Sequence, residues 1–269
     1  MARYKKKRVR ELQHDRFRDT TISIFDRLGT LLEGRGQAIL YGIGAVVLLA
    51  ILVGMWINWS RRKADEARRA LGRGIAIAST PVTPTGPQDA ASSYATEQER
   101  AQKAIEEFQK VAAKYGEPYR AEARYFIATN LLYVDREKGI SELTELTKST
   151  FSDIATLARF ALAQTKEADG KYDEAAQLYT QIASQNSVIV TPETAHLRLA
   201  MVYQKQGKKK EAADIFFQIA DAARKAKDTD GAILSLSAAA REATQELQKL
   251  DPDRFAQLPP EAPAAGLPF

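Results

Sequence analysis

The sequence predicts an all-α protein in which a single N-terminal transmembrane helix is followed by a helical-repeat solenoid. Two observations lead to this fold class. The first is a run of twenty residues, 38–57, that contains no charged side chain. The second is a series of amphipathic segments between residues 96 and 250, whose pattern recurs at intervals of 35 to 37 residues. A recurring amphipathic unit of this length is typical of stacked helical repeats.

The charge-free run 38–57 reads AILYGIGAVVLLAILVGMWI. As a helix it would be about 30 Å long, which matches the hydrocarbon thickness of a bilayer. Tyr41 at one end and Trp56 and Trp59 at the other suit the headgroup level, where amphipathic rings are enriched. The run is too long, and begins too far into the chain, for a cleaved signal peptide. We therefore predict a permanent anchor; a buried core helix is the alternative.

The segment before the span, residues 1–36, is basic, with ten Lys/Arg and five Asp/Glu, which accounts for the net charge of +5. We interpret it as a cytoplasmic segment attracted to anionic membrane lipids. Within it, residues 19–33 place large apolar side chains at helical spacing. This pattern predicts a short amphipathic helix that lies on the membrane surface or against a partner.

After the span, residues 60–78 are rich in Arg and Ala and continue the helical pattern. We interpret them as a juxtamembrane helix that continues the span and serves as the first helix of the first repeat. The next segment, 79–95, contains three prolines and a glycine in a polar setting and is predicted to be a loop. Helical repeats follow over 96–250, and the Pro-rich residues 251–269 are predicted to be a disordered tail.

Composition and motifs exclude several classes of function. From residue 74 onward the chain has 23 Lys/Arg against 27 Asp/Glu, so it lacks the basic surface that nucleic-acid binding needs. The chain contains no cysteine, and its two histidines, His14 and His196, lie in unrelated contexts. There is no P-loop, GxSxG or HExxH motif. We therefore predict no catalytic residue, no metal site and no cofactor, and a protein that is not an enzyme.

The repeat pattern consists of four segments in which a small or aliphatic residue is followed four positions later by a residue that is aromatic in three of them. These pairs are Ala104 with Phe108, Ile140 with Thr144, Ala175 with Tyr179, and Ala212 with Phe216. Upstream helical segments place an alanine twelve residues before the last three pairs, at Ala128, Ala163 and Ala200. Two helices cross closely only where side chains are small, and the aromatic residue fills the space against the next repeat.

This pattern resembles the tetratricopeptide repeat, a helix-turn-helix unit of about 34 residues. The turn glycine of the family matches Gly170 and Gly207, and its small residues match the alanines above. The resemblance implies a tetratricopeptide-like solenoid, and the segment Asp230 to Leu250 is predicted to be its capping helix. The match is weaker in the earlier repeats, where Thr144 replaces the aromatic residue.

In this family the ligand usually lies along the concave surface, which is formed by the first helix of each repeat. The resemblance therefore implies a partner-binding groove formed by Tyr125, Thr129, Phe160, Gln164, Leu197 and Met201, with Glu122, Leu157 and Thr194 at the remaining positions of the same register. The aromatic and aliphatic members of this set would suit an extended or helical apolar segment. Alternatively, these residues only pack each helix against its neighbours.

The whole layout resembles bacterial inner-membrane proteins related to the ancillary single-span subunit of the Sec translocon. The resemblance implies an adaptor or chaperone-like protein whose partners are translocon subunits, a periplasmic chaperone and nascent polypeptides. Charges near the span do not decide its orientation, but long domains translocate largely regardless of charge. Together with the resemblance, this favours a cytoplasmic N-terminus and a periplasmic repeat domain.

A second interpretation is a structural scaffold that self-associates through its repeats and through the small residues Ala50 and Gly54 of the span. It predicts a homo-oligomer, whereas the adaptor interpretation requires only other proteins or peptides.

Overall fold

The computed structural model describes residues 36–83, 93–227 and 234–260, with the backbone alone for residues 37–40. The predicted amphipathic helix at 19–33 lies outside the described residues. In the described part the chain folds into ten helices. They are α1 (Gly36–Ala78), α2 (Glu97–Lys114), α3 (Tyr119–Val134), α4 (Arg136–Leu146), α5 (Ser152–Ala168), α6 (Tyr172–Ala183), α7 (Pro192–Lys205), α8 (Lys209–Lys225), α9 (Ala238–Leu250) and α10 (Pro252–Phe255). The predicted all-α fold class is confirmed.

The chain divides into two compact units, Met1–Ala64 and Asp65–Phe269, and α1 contributes residues to both. In the first unit every residue from 41 to 63 is exposed. Helix α1 is long and apolar enough to span a membrane. Its backbone hydrogen bonds are satisfied within the helix, which is the requirement for a single segment in lipid. At the end of the apolar run, Lys63 places its Nζ atom 3.7 Å from the centre of the Trp59 ring.

The second unit consists of helix pairs, in which we name the first helix A and the second helix B. The pairs are the part of α1 from Asp65 with α2, then α3 with α4, α5 with α6, and α7 with α8. Five of the helices begin at a side chain that accepts a hydrogen bond from a backbone N–H of the first turn, which stabilises the helix start. These residues are Thr96, Asp135, Thr191, Ser237 and Asp251.

Each pair is joined to the next by its own apolar cluster, so the core is a row of four clusters along the second unit. In every cluster side chains from helix A and helix B of one pair meet helix A of the next pair or, at the end, helix α9. The aromatic residues of the repeat pattern, Phe108, Tyr179 and Phe216, are fully buried. The alanines Ala128, Ala163 and Ala200 are equally buried, which permits the close helix crossings that the pattern predicts. Contacts between neighbouring repeats of this kind are the defining feature of a solenoid.

Glycine ends helix A in the last two pairs. Gly170 has a φ of 72° and Gly207 a φ of 77°, in the left-handed region that favours glycine. After Gly170, the N–H of Lys171 donates to the carbonyl of Lys166 at 2.8 Å, and after Gly207 the N–H of Lys208 donates to Tyr203 at 2.9 Å. Both are Schellman motifs, which stop a helix and turn the chain sharply.

The last repeat is covered by α9, whose alanines and Leu247 pack on helix α8. A further short helix follows α9. Residues 251–260 belong to the segment that the sequence predicts to be a tail, yet they form α10 and bury Leu258. Asp251 accepts a hydrogen bond from the N–H of Arg254, and the Arg254 side chain pairs with Asp214 of α8. These contacts bring the end of the described chain back to the last repeat.

Candidate functional site

The second unit has a cavity of about 410 Å³ on the face formed by its first three A helices. We call this cavity the groove. Its apolar wall consists of Leu71, Ile75, Tyr125, Phe126, Ile154, Leu157 and Ile189, its charged rim of Arg68, Glu122 and Asp153, and Gly72 completes the lining. A cavity of this volume and apolar character falls in the range of ordinary ligand sites.

Helical spacing brings these residues to one face. On α1, residues 68, 71, 72 and 75 lie at positions i, i+3, i+4 and i+7, and therefore on the same side of the helix. On α3, Glu122, Tyr125 and Phe126 follow the same spacing. Ile189 comes from the loop between α6 and α7 and also lines the groove.

The groove contains part of the residue set predicted from the tetratricopeptide register. Tyr125 lines it, together with Glu122 and Leu157 of the same register. Burial raises the pKa of the Tyr125 phenol, so the hydroxyl stays protonated at neutral pH. The side chain of Tyr125 also packs edge-on against Phe126, with ring centres 5.4 Å apart.

The other predicted residues lie elsewhere on the A helices. Thr129 is half-buried and donates its hydroxyl hydrogen bond to the carbonyl of Phe126 at 3.0 Å. Phe160 packs edge-on against Tyr179, and Gln164 is exposed. None of these three side chains lines the groove.

In the last pair, Leu197 is only 4% exposed and belongs to the apolar cluster that joins α7, α8 and α9. Met201 is half-buried and packs against the same cluster. Neither side chain lines the groove, so of the six predicted residues only Tyr125 does.

The register omitted the contribution of α1, which provides four of the lining residues. The signal was present in the sequence as the helical spacing of Arg68, Leu71 and Ile75. The tetratricopeptide pattern is clear only in the three A helices after the loop, so it assigns no groove position to a residue of α1. Ile189 was missed for a different reason, since nothing in a loop sequence shows which cavity the loop covers.

Of the three charged side chains at the rim of the groove, only Arg68 has an oppositely charged side chain within salt-bridge distance among the described residues. Arg68 lies 3.7 Å from Asp65 on its own helix. Glu122 and Asp153 form no ion pair with any described residue within hydrogen-bonding or salt-bridge distance. Burial raises the pKa of the Glu122 carboxyl, and the charge of Arg68 offsets only part of that effect. The rim of the groove is therefore acidic on the α3 and α5 side.

A second cluster of interest is buried between the third and fourth pairs, and we call it the Glu167 cluster. The Glu167 carboxylate accepts hydrogen bonds from the Tyr179 hydroxyl at 3.0 Å, from Arg198 at 2.8 Å and from Lys205 at 2.8 Å. It thereby joins α5, α6 and α7. Burial alone would raise the pKa of Glu167, but the hydrogen bond from Lys205 and the charge of Arg198 outweigh it and lower the pKa.

The contacts of the Glu167 cluster favour a role in holding α5, α6 and α7 together over a role in catalysis. Tyr179, Arg198 and Lys205 each donate one hydrogen bond to a carboxylate oxygen of Glu167, and burial raises the pKa of the Tyr179 phenol well above its usual value. The cluster is separate from the groove, because none of its residues lines that cavity. Among the described residues, no group of three or more His, Cys, Asp or Glu side chains is placed to hold a metal ion.

Comparison with known proteins identifies the last helix pair. Residues 195–233 match the family model for the tetratricopeptide repeat. This match covers most of α7 and all of α8. No curated protein and no solved structure matches the chain. The tetratricopeptide repeat is a non-catalytic interaction fold. The chain therefore contains a tetratricopeptide repeat, and its repeat unit is a protein–protein interaction module.

Proposed function

We propose that the chain is a membrane-anchored adaptor or chaperone-like factor that assists protein translocation or envelope protein assembly. In this proposal α1 crosses the bacterial inner membrane, the N-terminus is cytoplasmic and the repeat unit is periplasmic. The partners are translocon subunits, a periplasmic chaperone or nascent polypeptides, which bind in the groove, while lipids surround the span.

The observation that carries this proposal is the groove itself. Its walls come from the A helices of three consecutive pairs, on the surface where the tetratricopeptide resemblance implies ligand binding. Ile75 and Ile189 are 43% and 44% exposed at its edge. A partner that buries one large aliphatic side chain there would gain about 1.5 to 3 kcal/mol from that side chain.

The membrane part of the proposal rests on the exposed apolar surface of α1. Large apolar side chains from Tyr41 to Trp59 are exposed in the first unit, and water does not favour so long an unbroken apolar surface. In this proposal the bilayer covers this surface, which is left exposed by the described residues. Tyr41 and Trp59 lie near the two ends of the apolar run, where interfacial aromatic residues anchor a span.

Site-specific photocrosslinking in native membranes tests the proposal. A photoreactive phenylalanine analogue at Leu157 should form adducts with translocon subunits, a periplasmic chaperone or nascent chains. The same analogue at Gln181, which is exposed on helix B of the third pair, is the matched control. Adducts that are absent from Leu157, or equally abundant from Gln181, would contradict the proposal.

Self-association is a second candidate, favoured by one observation on α1. A Cβ atom at Gly54 would meet nothing within 4 Å in the described part of the chain, so the backbone of another helix has space to approach it closely. A Gly54→Leu substitution should then dissociate a homo-oligomer, as measured by light scattering in detergent. A monomeric wild-type chain would exclude this candidate.

A further inference from the structure

Two glycines on the same stretch of α1 differ in what surrounds them. A Cβ atom at Gly74 would lie 2.5 Å from the Phe108 ring, so packing requires a glycine there. A Cβ atom at Gly72 would meet no described residue within 4 Å, although Gly72 lines the groove. Glycine within a helix costs about 1 kcal/mol relative to alanine. No contact of Gly72 with the described part of the chain explains that cost, and its effect is to leave open space in the groove wall.

The surface around this space is apolar. Among its lining residues, Leu71 and Ile154 are buried, whereas Ile75 and Ile189 are partly exposed. Next to Ile189, the side chain of Val188 is 89% exposed. A large apolar side chain entering beside Gly72 would therefore contact aliphatic groups on several sides and exclude water from them.

The charged side chains at the rim of the groove indicate which charge a ligand should carry beside that apolar side chain. Arg68 lies 3.7 Å from Asp65 and its charge also acts on Glu122, but neither Glu122 nor Asp153 has a cation in salt-bridge contact among the described residues, so the two carboxylates outnumber the one cation at the rim. The half-buried Glu122 carboxylate has lost part of its hydration, so an incoming cation would stabilise it more than a fully exposed carboxylate. The groove is thus complementary to a basic group.

We infer that the groove binds a polypeptide segment that places a large apolar side chain in the space beside Gly72 and a Lys or Arg side chain against Glu122 and Asp153. This inference rests on the proposed function of the groove in protein binding and specifies the class of sequence that it takes. The occupant is a segment in which apolar and basic residues are neighbours. An acidic segment would be repelled by the same two carboxylates.

Binding of labelled peptides to the full chain tests the inference. The chain is placed in nanodiscs of zwitterionic phosphatidylcholine, so that the lipid does not attract basic peptides. Three peptides share one Leu-Phe core, which is flanked by Lys, Gln or Glu, and binding is followed by fluorescence anisotropy. The Lys-flanked peptide should bind about tenfold more tightly than the Gln-flanked peptide, and the Glu-flanked peptide should bind most weakly.

Substitutions at the groove separate the apolar from the charged part of the inference. Gly72→Leu fills the open space and should weaken all three peptides by at least about tenfold. Ala76→Leu adds the same bulk at an exposed position of α1 that does not line the groove, and it should leave binding unchanged. Thermal unfolding followed by circular dichroism checks that both variants remain folded.

The charged part is tested by the double variant Glu122→Gln and Asp153→Asn. It should reduce the affinity for the Lys-flanked peptide to that for the Gln-flanked one and leave the latter unchanged. The matched control is Glu211→Gln with Glu242→Gln, which removes two exposed carboxylates outside the groove. This arm is informative even if Gly72→Leu does not fold.

The outcomes distinguish the inference from the proposed function. Equal affinity for all three peptides, lost in Gly72→Leu, would overturn the inference and leave protein binding in the groove intact. Binding that is absent, or insensitive to Gly72→Leu, would overturn both. A fluorescent fatty acid that binds the groove, is lost in Gly72→Leu and is not displaced by peptides would overturn the inference in favour of an acyl chain.

Discussion

Phe108 and Gly74 are in direct contact across the first helix pair: the ring of Phe108 occupies the space that a Cβ atom at Gly74 would need. Phe108 is fully buried and stacks on Phe126 with ring centres 4.9 Å apart, so its ring has little room to move. This contact joins the end of α1 to the rest of the second unit. Glycine at position 74 lets the Phe108 ring pack directly against the backbone of α1, where a side chain would displace the ring.

Gly74→Ala should therefore destabilise the repeat unit although alanine favours helix. Overpacking a buried site costs about 1 to 3 kcal/mol, and the gain in helix propensity of about 1 kcal/mol offsets only part of it. We expect a net loss of up to about 2 kcal/mol in the free energy of unfolding. The measurement is urea unfolding of the full chain in detergent micelles, followed by circular dichroism.

The control for this prediction is Gly72→Ala, two residues earlier on the same helix. Its Cβ atom would meet none of the described residues within 4 Å, so the variant should gain up to about 1 kcal/mol from helix propensity. If both variants were equally stable, the contact between Gly74 and Phe108 would not be the close one that the structure shows.

The Glu167 cluster predicts a pH-dependent contribution to stability. The pKa of the Glu167 carboxyl is lowered, so the folded state favours the carboxylate. The contribution is therefore fully present above the pKa of a glutamate in the unfolded chain, which is about 4.3. It is lost as the pH falls below that value and through the folded pKa. Glu167→Gln should cost about 1 to 3 kcal/mol near pH 7, because Arg198 and Lys205 lose a charged acceptor.

Urea titrations at several pH values check this prediction. The difference in unfolding free energy between wild type and Glu167→Gln should be constant near neutral pH and should shrink in acid. Glu145→Gln is the matched control, since Glu145 forms an exposed ion pair with Lys148 and should cost less than about 1 kcal/mol. A difference that persists unchanged through acid pH would show that the carboxylate charge is not what stabilises the cluster.

The apolar half of α1 predicts how the chain partitions into membranes. Val47→Arg with Leu48→Arg places two charges near the centre of the span, and each costs about 2.5 to 3.5 kcal/mol of insertion free energy. We expect this double variant to be extracted from membranes by alkaline carbonate, whereas the wild type remains. Gln102→Arg with Gln109→Arg adds the same charges at exposed positions of α2 and should not be extracted.

The proposed topology predicts the side of the membrane on which the repeat unit lies. A phosphatase reporter that is active only outside the cytoplasm, fused after Leu250, should be active. The same reporter placed before residue 38 should be inactive. The opposite result would place the repeat unit in the cytoplasm and exclude a periplasmic partner.

Much of the fold was predictable because it depends on patterns local in sequence. Ala175 and Tyr179, or Ala212 and Phe216, recur at a fixed spacing, and the structure buries all four residues. Turn glycines at 170 and 207 adopt the left-handed conformation that the repeat turn requires. Less of the site was predictable: the register located Tyr125 at the groove, but Leu197 lies in the core of the last pair.

The groove depends on neighbours that are distant in sequence. Ile75 and Ile189 line the same cavity although 113 residues separate them in the chain. The side of an A helix that faces the groove depends on the angle by which each helix pair is rotated relative to the next pair. That rotation is set by contacts such as Gly74 against Phe108, which a repeat pattern does not describe.

By itself, the sequence determined that the chain has one apolar segment of bilayer length, a series of amphipathic helix pairs and a tetratricopeptide-like repeat, because each follows from periodicity within tens of residues. Only the tertiary structure decided that α1 contributes a wall of the groove, that Gly72 leaves space there, and that Glu167 is enclosed by three donors. The physical reason is that these features depend on packing between helices, where volume and charge must match across residues that the chain order keeps apart.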